Sequence, residues 1–225
     1  DPNARLEKRS KYYQVPYSVE AIENDLVQAW DSPSSIASLT LPAVNRFIPS
    51  DLDLIEPIHA QGTPPQVMFK REGLRVWHLE NTQFGVPRAN IIIKLATDKT
   101  STMPSMTAAE LYINLVQDEL NSGLYAASLA GLNYSIGVDQ RGLSIVLGGY
   151  SENQALLLQS ILQVLLSPDW SPERFKRVKQ QLYRSKLNAS KDYPFRQIIS
   201  QLQASIKRTW TASEQAPVLE TLTLK

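Results

Sequence analysis

The sequence predicts an α+β fold, a mainly antiparallel sheet with helices packed on one face. Two observations predict it: strand-like segments come in pairs joined by short turns, and most helical segments follow them in the last third of the chain. Strict alternation of strands and helices would indicate a parallel sheet instead. A length of 225 residues with a hydrophobic fraction of 43% is enough for one large domain with an attached segment.

The first 65 residues differ from the rest because they are rich in proline, which removes a backbone donor and fixes φ. The prolines in this stretch are Pro2, Pro16, Pro33, Pro42, Pro49, Pro57, Pro64 and Pro65. One helix is predicted, from Val19 to Trp30, with Ser18 as its N-cap. Leu39 to Ile58 is predicted to be an extended arm that lies on another surface. We therefore predict two parts: residues 1–65, an inter-domain arm and helix, and residues 66–225, an α+β domain.

Strand signals begin after this arm. Val67–Phe69 and Leu74–Leu79 predict a short strand pair with a turn at Arg71–Gly73. Arg88 to Thr97 predicts a strand, because apolar and polar residues alternate along it. Its predicted buried face carries Ile91, Ile93 and Leu95.

A long helix is predicted next, starting at Pro104–Thr107, with Thr107 and Glu110 as a capping box. Asn121–Gly123 is expected to kink or split it, and Gly131 to end it. Two alternating strands then flank Asp139–Gly142, which predicts a hairpin.

The last third is predicted to be helical. One helix spans Ser151–Leu166, with an inward stripe of Leu158, Ile161, Leu162 and Leu165. A second starts at Ser171-Pro172-Glu173 and runs to about Ala189. A third spans Phe195–Trp210, with Ile199, Leu202 and Ile206 expected inward.

Several kinds of catalytic site are excluded by composition. Without cysteine there is no thiolate nucleophile and no cysteine-ligated metal. Neither H-E-x-x-H nor H-x-x-E-H occurs, and phosphate-binding glycine loops are absent. His78 and Glu80 share a predicted strand face and allow a two-ligand metal site, but no third ligand is evident, which favours an incidental pair. His59 is the only other histidine.

Charged residues give two further patterns. Asp51 and Asp53 lie in the arm, and Asp118–Glu119 are adjacent on the long helix, where adjacent residues do not face each other. The segment Arg174–Lys191 is rich in Arg and Lys, which allows a basic groove for an acidic or nucleic-acid ligand. A solvated helix face with Phe175, Val178 and Leu182 inward is favoured. A net charge of +1 gives no overall field toward nucleic acid, and no apolar run is long enough for a membrane helix.

Five short strings, in this order, resemble the insulinase/pitrilysin (insulin-degrading-enzyme-like) zinc metallopeptidase family. They are the segment Ser10–Tyr17, the arm Leu41–Pro49 (L-P-x-x-N-x-F-I-P), the strand region Trp77–Asn90, the string Leu124–Leu132 (Y-A-A-x-L-A-G-L) and Gly149–Tyr150. Each string alone is a weak signal. Together they span nearly the whole chain, so the combined resemblance is specific.

The resemblance implies a parent protein built from four homologous α+β units in two bowl-shaped halves, the half-domain fold of mitochondrial-processing-peptidase-like proteins. The first unit would carry the H-x-x-E-H helix and zinc. This chain would be the join between the halves plus the third, non-catalytic unit, truncated at its C-terminus. It therefore implies no catalytic, cofactor-binding or metal residue here, and zinc in the parent alone.

Two functions follow from the resemblance. The first is a non-catalytic middle domain of a peptide-degrading zinc metalloendopeptidase, which forms part of its substrate chamber. The alternative is a non-enzymatic peptide-binding or assembly scaffold of the same fold. The expected partners are peptide substrates and the missing N- and C-terminal domains of its own chain, with no nucleic acid and no membrane insertion. The expected compartment is the periplasm, with the cytoplasm as the alternative.

Overall fold

The computed structural model describes residues 6–32, 38–41, 43–81, 83–207 and 209–224. The predicted arm residues Pro2, Pro33 and Pro42 lie outside this described part. The chain divides into two units, Asp1–Val44 and Asn45–Lys225. The division into residues 1–65 and 66–225 concerns the parent protein and stays a prediction.

The first unit contains a strand pair and one helix: β1 (Lys8–Arg9), β2 (Pro16–Tyr17) and α1 (Asn24–Asp31). The predicted start of the helix at Val19 is wrong, because residues 18–23 have no regular structure. Ser18 therefore lies too far from the free amides of the first turn to cap them. The N-cap is Glu23, whose side chain makes no capping hydrogen bond.

The second unit contains the remaining strands and helices, in an order that confirms the predicted α+β class. They are β3 (Gln66–Arg71), β4 (Leu74–His78), β5 (Arg88–Ala96), α2 (Met103–Gly123), α3 (Tyr125–Leu129), β6 (Asn133–Asp139), β7 (Gly142–Tyr150), α4 (Gln154–Leu166), α5 (Pro172–Asn188), α6 (Pro194–Lys207) and α7 (Ala212–Thr221).

The main sheet has three antiparallel strands in the order β5-β7-β6, and β3 pairs with β4 as a separate hairpin. In the middle row of the main sheet, Ile93, Ile145 and Ile136 lie side by side. This row faces α2 and α4, and Ile145 and Ile136 are buried. The row at the end of the sheet is less covered, so the predicted inward Leu95 is 48% exposed.

The long predicted helix splits as expected, into α2 and α3, but its capping box is one turn earlier. Thr102 is the N-cap and exchanges hydrogen bonds with Ser105. The helix can start there because Pro104 falls in the first turn, where its missing N–H would have no partner. Thr107 is instead fully buried and donates its hydroxyl to the carbonyl of Met103 (2.8 Å).

The helix predicted from Ser151 begins at Gln154 in the structure, because the preceding side chains have other partners. Asn153, at the N-cap position, makes no capping bond and donates its amide to the carbonyls of Phe47 and Ile48 instead. The inward stripe is centred on Leu157, Ile161 and Leu165, and the predicted Leu158 and Leu162 are partly buried beside it.

Two glycines of the family-like strings lie against each other. Gly131 ends α3 with φ +77° and Gly149 lies in β7 with φ +119°. A Cβ on Gly149 would lie 2.3 Å from the carbonyl oxygen of Gly131. Only glycine can fill position 149 without displacing the turn after α3.

The last three helices agree with the prediction in part. Ser171 caps α5 as expected, and Val178 and Leu182 are buried. Helix α6 lies where it was predicted, but its apolar residues Ile199, Leu202 and Ile206 are exposed, so the inward assignment is wrong. Helix α7 was not predicted, because Pro217 lies inside it and proline usually ends a helix.

Candidate functional site

Among the residues that the structure describes, no helix layer covers one face of the main sheet. Since side chains alternate across a strand, Asn90, Ile92 and Lys94 of β5 point away from α2 and α4. Ile92 is 63% exposed, and its row continues through Val146 to the exposed Ser135. We call this surface, formed by alternate residues of β5, β7 and β6, the open sheet face.

A narrow polar notch lies on the open sheet face. Asn90, Gly148 and Asn133 form one row across the three strands. The Oδ1 atoms of Asn90 and Asn133 both lie 2.8 Å from the point where Gly148 would carry a Cβ. The two amides therefore converge over bare backbone, where they can donate to or accept from an extended chain.

The outer edge of β5 has backbone groups directed away from β7. The N–H of Thr97 donates to the carbonyl of Arg141 (3.0 Å), which sets the alternation along the pair. It follows that Ile92 and Lys94 direct their N–H and C=O groups outward. Within the described ranges, no strand pairs with this edge. An extended segment can add here by strand pairing.

The outer edge of β6 is partly occupied. There the side-chain amide of Gln117, on α2, donates to the outward carbonyl of Ile136 (3.1 Å). Of the two edges of the main sheet, the edge of β5 is therefore the better acceptor of an added strand.

The basic segment Arg174–Lys191 lies partly against the acids of α2. Arg177 makes a two-point contact with Asp118 (2.9 and 2.6 Å), and Arg174 lies 3.5 Å from the same carboxylate. Lys186 lies 2.7 Å from Glu110 and donates to Gln215 (2.6 Å). We call this set of pairs the α2–α5 seam. These cations stabilise helix packing, which argues against a nucleic-acid groove. The predicted solvated face holds only in part, because the Lys186 side chain is 13% exposed.

The other basic residues of this segment are either hydrogen-bonded or exposed. Lys179 donates to the carbonyls of Glu220 and Leu222 at the end of α7 (2.9 and 2.7 Å). A cation there satisfies carbonyls that have no partner within the helix. Lys176, Arg184 and Lys191 are exposed.

The electrostatics of the α2–α5 seam lower one pKa clearly. The hydrogen bonds from Arg177 hold the pKa of Asp118 below its usual range, and the charges of Arg177 and Arg174 act in the same direction, while burial opposes them. Glu119 completes the acidic side by accepting from the Trp170 indole (2.8 Å).

A shallow groove of about 240 Å³ follows the α2–α5 seam. Its lining is mostly polar: Asn114, Gln117, Asp118, Asn121, Val178, Gln181, Leu182 and Ser185. Helix α2 carries no histidine, and amides and an ion-paired carboxylate line this groove.

Glu80, which shares a predicted strand face with His78, contacts the other histidine, His59. Glu80 lies beyond the end of β4 and accepts from the backbone N–H of His59 (2.8 Å), with the His59 ring 3.4 Å away. The same hydrogen bond lowers the pKa of Glu80. His78, at the end of β4, is exposed. The structure therefore brings Glu80 to His59.

The arm carboxylates Asp51 and Asp53 are also not an acid–base pair. Asp51 accepts from the backbone N–H of Asp53 (2.8 Å), a local turn contact. Across the residues that the structure describes, no three His, Cys, Asp or Glu side chains group together in a way that could hold a metal.

One set of important residues was missed by sequence reasoning. We call the contacts that hold residues 45–51 on the second unit the arm clamp. Asn45 donates its amide to the carbonyl of Ala126 (2.7 Å), and Glu152 accepts from Ser50 and from the N–H of Asp51 (2.7 to 3.0 Å). The sequence does contain a polar run before an apolar helix, Glu152–Gln154. These residues were predicted to belong to the helix, so their contacts with the arm were not expected.

The geometry agrees with what comparisons with known proteins found. A family model described as the middle or third domain of peptidase M16 matches residues 1–218. Insulin-degrading enzyme of Homo sapiens is 26% identical over 223 residues, which are 98% of this chain and 22% of the human protein. A nardilysin-like protein of Arabidopsis thaliana is 30% identical over 230 residues, 96% of this chain and 22% of that protein.

A solved structure shows the same fold. The crystal structure of pitrilysin matches with a TM-score of 0.76 at 22% identity, over 99% of this chain and 24% of that chain. The chain thus spans between a fifth and a quarter of the length of these relatives. Within the described part of the chain, no helix is both long and apolar enough to cross a membrane.

Proposed function

Because this chain belongs to the family of the middle or third domain of peptidase M16, we propose that it serves as a non-catalytic wall of the substrate chamber in a zinc-dependent metalloendopeptidase. The parent would cleave peptides at a zinc site in another of its domains. The proposal rests on the similarity to relatives such as human insulin-degrading enzyme, of which this chain covers about a fifth.

The open sheet face is the single observation that carries the proposed role. A sheet with one face packed on helices and the other bare presents its strands as a wall. Peptide backbone could pair with the edge of β5, and the notch around Gly148 offers amide groups beside it. Neither contact depends on side-chain sequence, which suits a chamber that admits different peptides.

Zinc, which the family resemblance implies for the parent, does not fit the residues of this chain. Helix α2 has no histidine, and its acids Glu110, Asp118 and Glu119 contact Lys186, the two arginines and Trp170. His59 and His78 are exposed and lie on a different part of the second unit. We propose that the catalytic site lies elsewhere in the parent.

The experiment has two parts. The coding region upstream of Asp1 is sequenced, and the parent and this chain are each purified without chelator. We expect H-x-x-E-H upstream, with peptide cleavage by the parent that chelator abolishes, and neither stoichiometric zinc nor cleavage with this chain. Zinc-dependent hydrolysis by this chain would overturn the proposal.

The scaffold alternative is an outcome of the same experiment. If the upstream helix lacks either histidine or the glutamate and the parent cleaves no peptide, the protein is a peptide-binding or assembly scaffold.

We also propose the periplasm as the compartment of the parent. Osmotic-shock fractionation with antibody against this chain tests it, and retention with a cytoplasmic marker would overturn it.

A further inference from the structure

The open sheet face carries an arginine in the row next to the notch around Gly148. Arg88 pairs with Tyr150 across β5 and β7, and along β5 it lies two residues before Asn90. Since side chains alternate along a strand, Arg88 and Asn90 lie on the same face, with their Cα atoms about 7 Å apart. The arginine and the notch therefore form one cluster at one end of the sheet.

The Tyr150 ring supports the guanidinium group of Arg88. The Arg88 Cζ lies 5.0 Å from the centre of this ring, a cation–π contact that leaves the N–H groups available to donate. A Cβ on Gly131 would lie 3.1 Å from the ring and 3.8 Å from Nη2 of Arg88. The arginine thus reaches across the ring toward the chain that enters β6, where Asn133 follows Gly131 by two residues.

The polar groups of this cluster have no partner among the described residues. Within the described ranges, the Arg88 side chain makes no ion pair, and the carboxamides of Asn90 and Asn133 make no hydrogen bond. All three side chains are exposed on the same face of the sheet. The cluster therefore presents one positive charge and several hydrogen-bond donors to whatever lies on this face.

This set of groups matches a carboxylate in charge and in spacing. A carboxylate has one negative charge and two acceptor oxygens, and arginine binds it in a planar, charge-assisted contact. A phosphate monoester carries nearly two negative charges, of which a single arginine neutralises only part. The two carboxamides flank the bare backbone of Gly148, and each can turn to present its NH2 group. Hydrogen bonds of about 2.9 Å allow a carboxylate between the two rows to contact both.

We propose that Arg88, Asn90 and Asn133 form a carboxylate-binding subsite for substrate peptides, which takes the C-terminal carboxylate or an Asp or Glu side chain. This inference rests on the proposed function, because it requires peptides to reach the open sheet face. Strand pairing at the edge of β5 contributes affinity for any extended peptide. The subsite adds a preference for peptides that place an acid beside the arginine.

The experiment measures peptide binding to the full-length parent in the presence of chelator, which keeps the peptides intact if the parent is a zinc peptidase. The probes are fluorescein-labelled peptides of one neutral sequence with either a free C-terminal carboxylate or a C-terminal amide. A second series of amides carries a single Glu at each position in turn. We expect at least one acid-bearing peptide to bind at least about tenfold more tightly than the neutral amide, as a charge-assisted hydrogen bond predicts. Fluorescence anisotropy gives the dissociation constants, and the two series distinguish the two sources of the carboxylate.

Variants of the parent test whether the preference comes from this cluster. Arg88→Gln removes the guanidinium, and Gly148→Ala places a Cβ 2.8 Å from both carboxamide oxygens, which must then move apart. We expect each change to reduce the preference to about twofold or less. Arg141→Gln, which removes an exposed arginine between β6 and β7 at the opposite end of the sheet, is the matched control and should keep the full preference. Asn133→Ala replaces Gly148→Ala if that change disturbs β7.

Three results would overturn the subsite. They are equal binding of all peptides, a preference that survives in Arg88→Gln, and a preference that Arg141→Gln reduces equally, which would indicate a general effect of charge. Cleavage without chelator is measured separately. A parent that cleaves peptides without the acid preference would retain the proposed function and lose the subsite. A parent that shows the Arg88-dependent preference but cleaves no peptide would retain the subsite and lose the peptidase function.

Discussion

Phe47 is the residue that fixes the arm on the second unit. It is 2% exposed and belongs to the same core as Val116, Ile145 and Ile161. The Asn45 side chain sets its approach by accepting from the Phe47 N–H (3.0 Å) while donating to Ala126. Asn45 and Phe47 are the N-x-F of the arm string, so that string has a structural explanation.

Truncation of the Phe47 side chain should destabilise the second unit. We expect Phe47→Ala to lower the free energy of unfolding by about 3–5 kcal/mol, through lost burial and a residual cavity. Urea denaturation followed by circular dichroism measures it. The matched control is Ile48→Ala, where the side chain is 60% exposed, with an expected change within about 0.5 kcal/mol. Equal effects of the two changes would contradict this packing.

Residue-level contacts of the arm could be predicted only in part. The prolines correctly indicated that residues 43–58 form no helix or strand, because φ is fixed and donors are missing. The surface beneath this segment could not be predicted, since one buried aromatic residue has no periodicity. From Asn45 to Asp51 that surface belongs to the second unit itself.

At the level of elements, two ion pairs of the α2–α5 seam differ in their exposure to solvent. The Lys186 side chain is 13% exposed, whereas that of Arg177 is 56% exposed. Electrostatic coupling weakens with solvent access. The two pairs therefore provide an internal comparison of what burial adds to the contact between α2 and α5.

Double-mutant cycles should show whether the enclosed ion pair is coupled more strongly than the exposed one. We expect Lys186→Met alone to cost about 1–3 kcal/mol, because Glu110 and Gln215 then lack their donor, and Glu110→Gln in the same background to recover part of it. The cycle with Asp118→Asn and Arg177→Met should give a weaker coupling, because solvent screens this exposed pair. Chemical denaturation of all variants measures both, and a larger coupling for the exposed pair would contradict the assignment.

The prediction of elements succeeded where a start signal and a periodicity agreed. Helix α5 has both, as N-cap Ser171 and the buried Val178 and Leu182. Helix α7 has the start signal, a capping box of Thr211 and Glu214, but Pro217 hid it. For α6 the periodicity located the helix correctly, although periodicity alone cannot say whether its apolar face meets its own domain or another one.

At the scale of the whole molecule, two carboxylates join segments that are distant in sequence. The pKa of Glu152 is lowered, mainly by the hydrogen bond from the Asp51 backbone and also by Ser50, and that of Asp118 is lowered chiefly by Arg177. A lowered folded-state pKa contributes stability above the usual carboxyl range, and this contribution is lost as the pH falls through the lowered value.

Acidification should therefore weaken the arm clamp. We expect Glu152→Gln to lower the urea midpoint at neutral pH, and the difference from the natural chain to shrink once the pH falls below the usual carboxyl range of about 4. Urea titrations at a series of pH values measure it. Glu72→Gln, at the exposed turn between β3 and β4, is the control. A difference that is constant with pH would exclude a role for the charge of Glu152.

The fold class could be predicted because every strand of the main sheet keeps its alternation and the Asp139–Gly142 turn is short. That one face of the sheet would be bare follows from the same alternation. The polar notch and the free edge of β5 could not be predicted, because they depend on which strands pair and in which register. The catalytic motifs excluded kinds of site but located none.

The position of β7 in the centre of the main sheet also has a consequence for the order of folding. It joins β6 through a two-residue turn, a local contact that costs little chain entropy, whereas Ile93 meets Ile145 only after α2, α3 and the hairpin have been enclosed in the loop. Local hairpins form in microseconds and long loops close later. The β6–β7 hairpin should therefore be structured in the folding transition state, with β5 docking afterwards as the slower, topology-limited event.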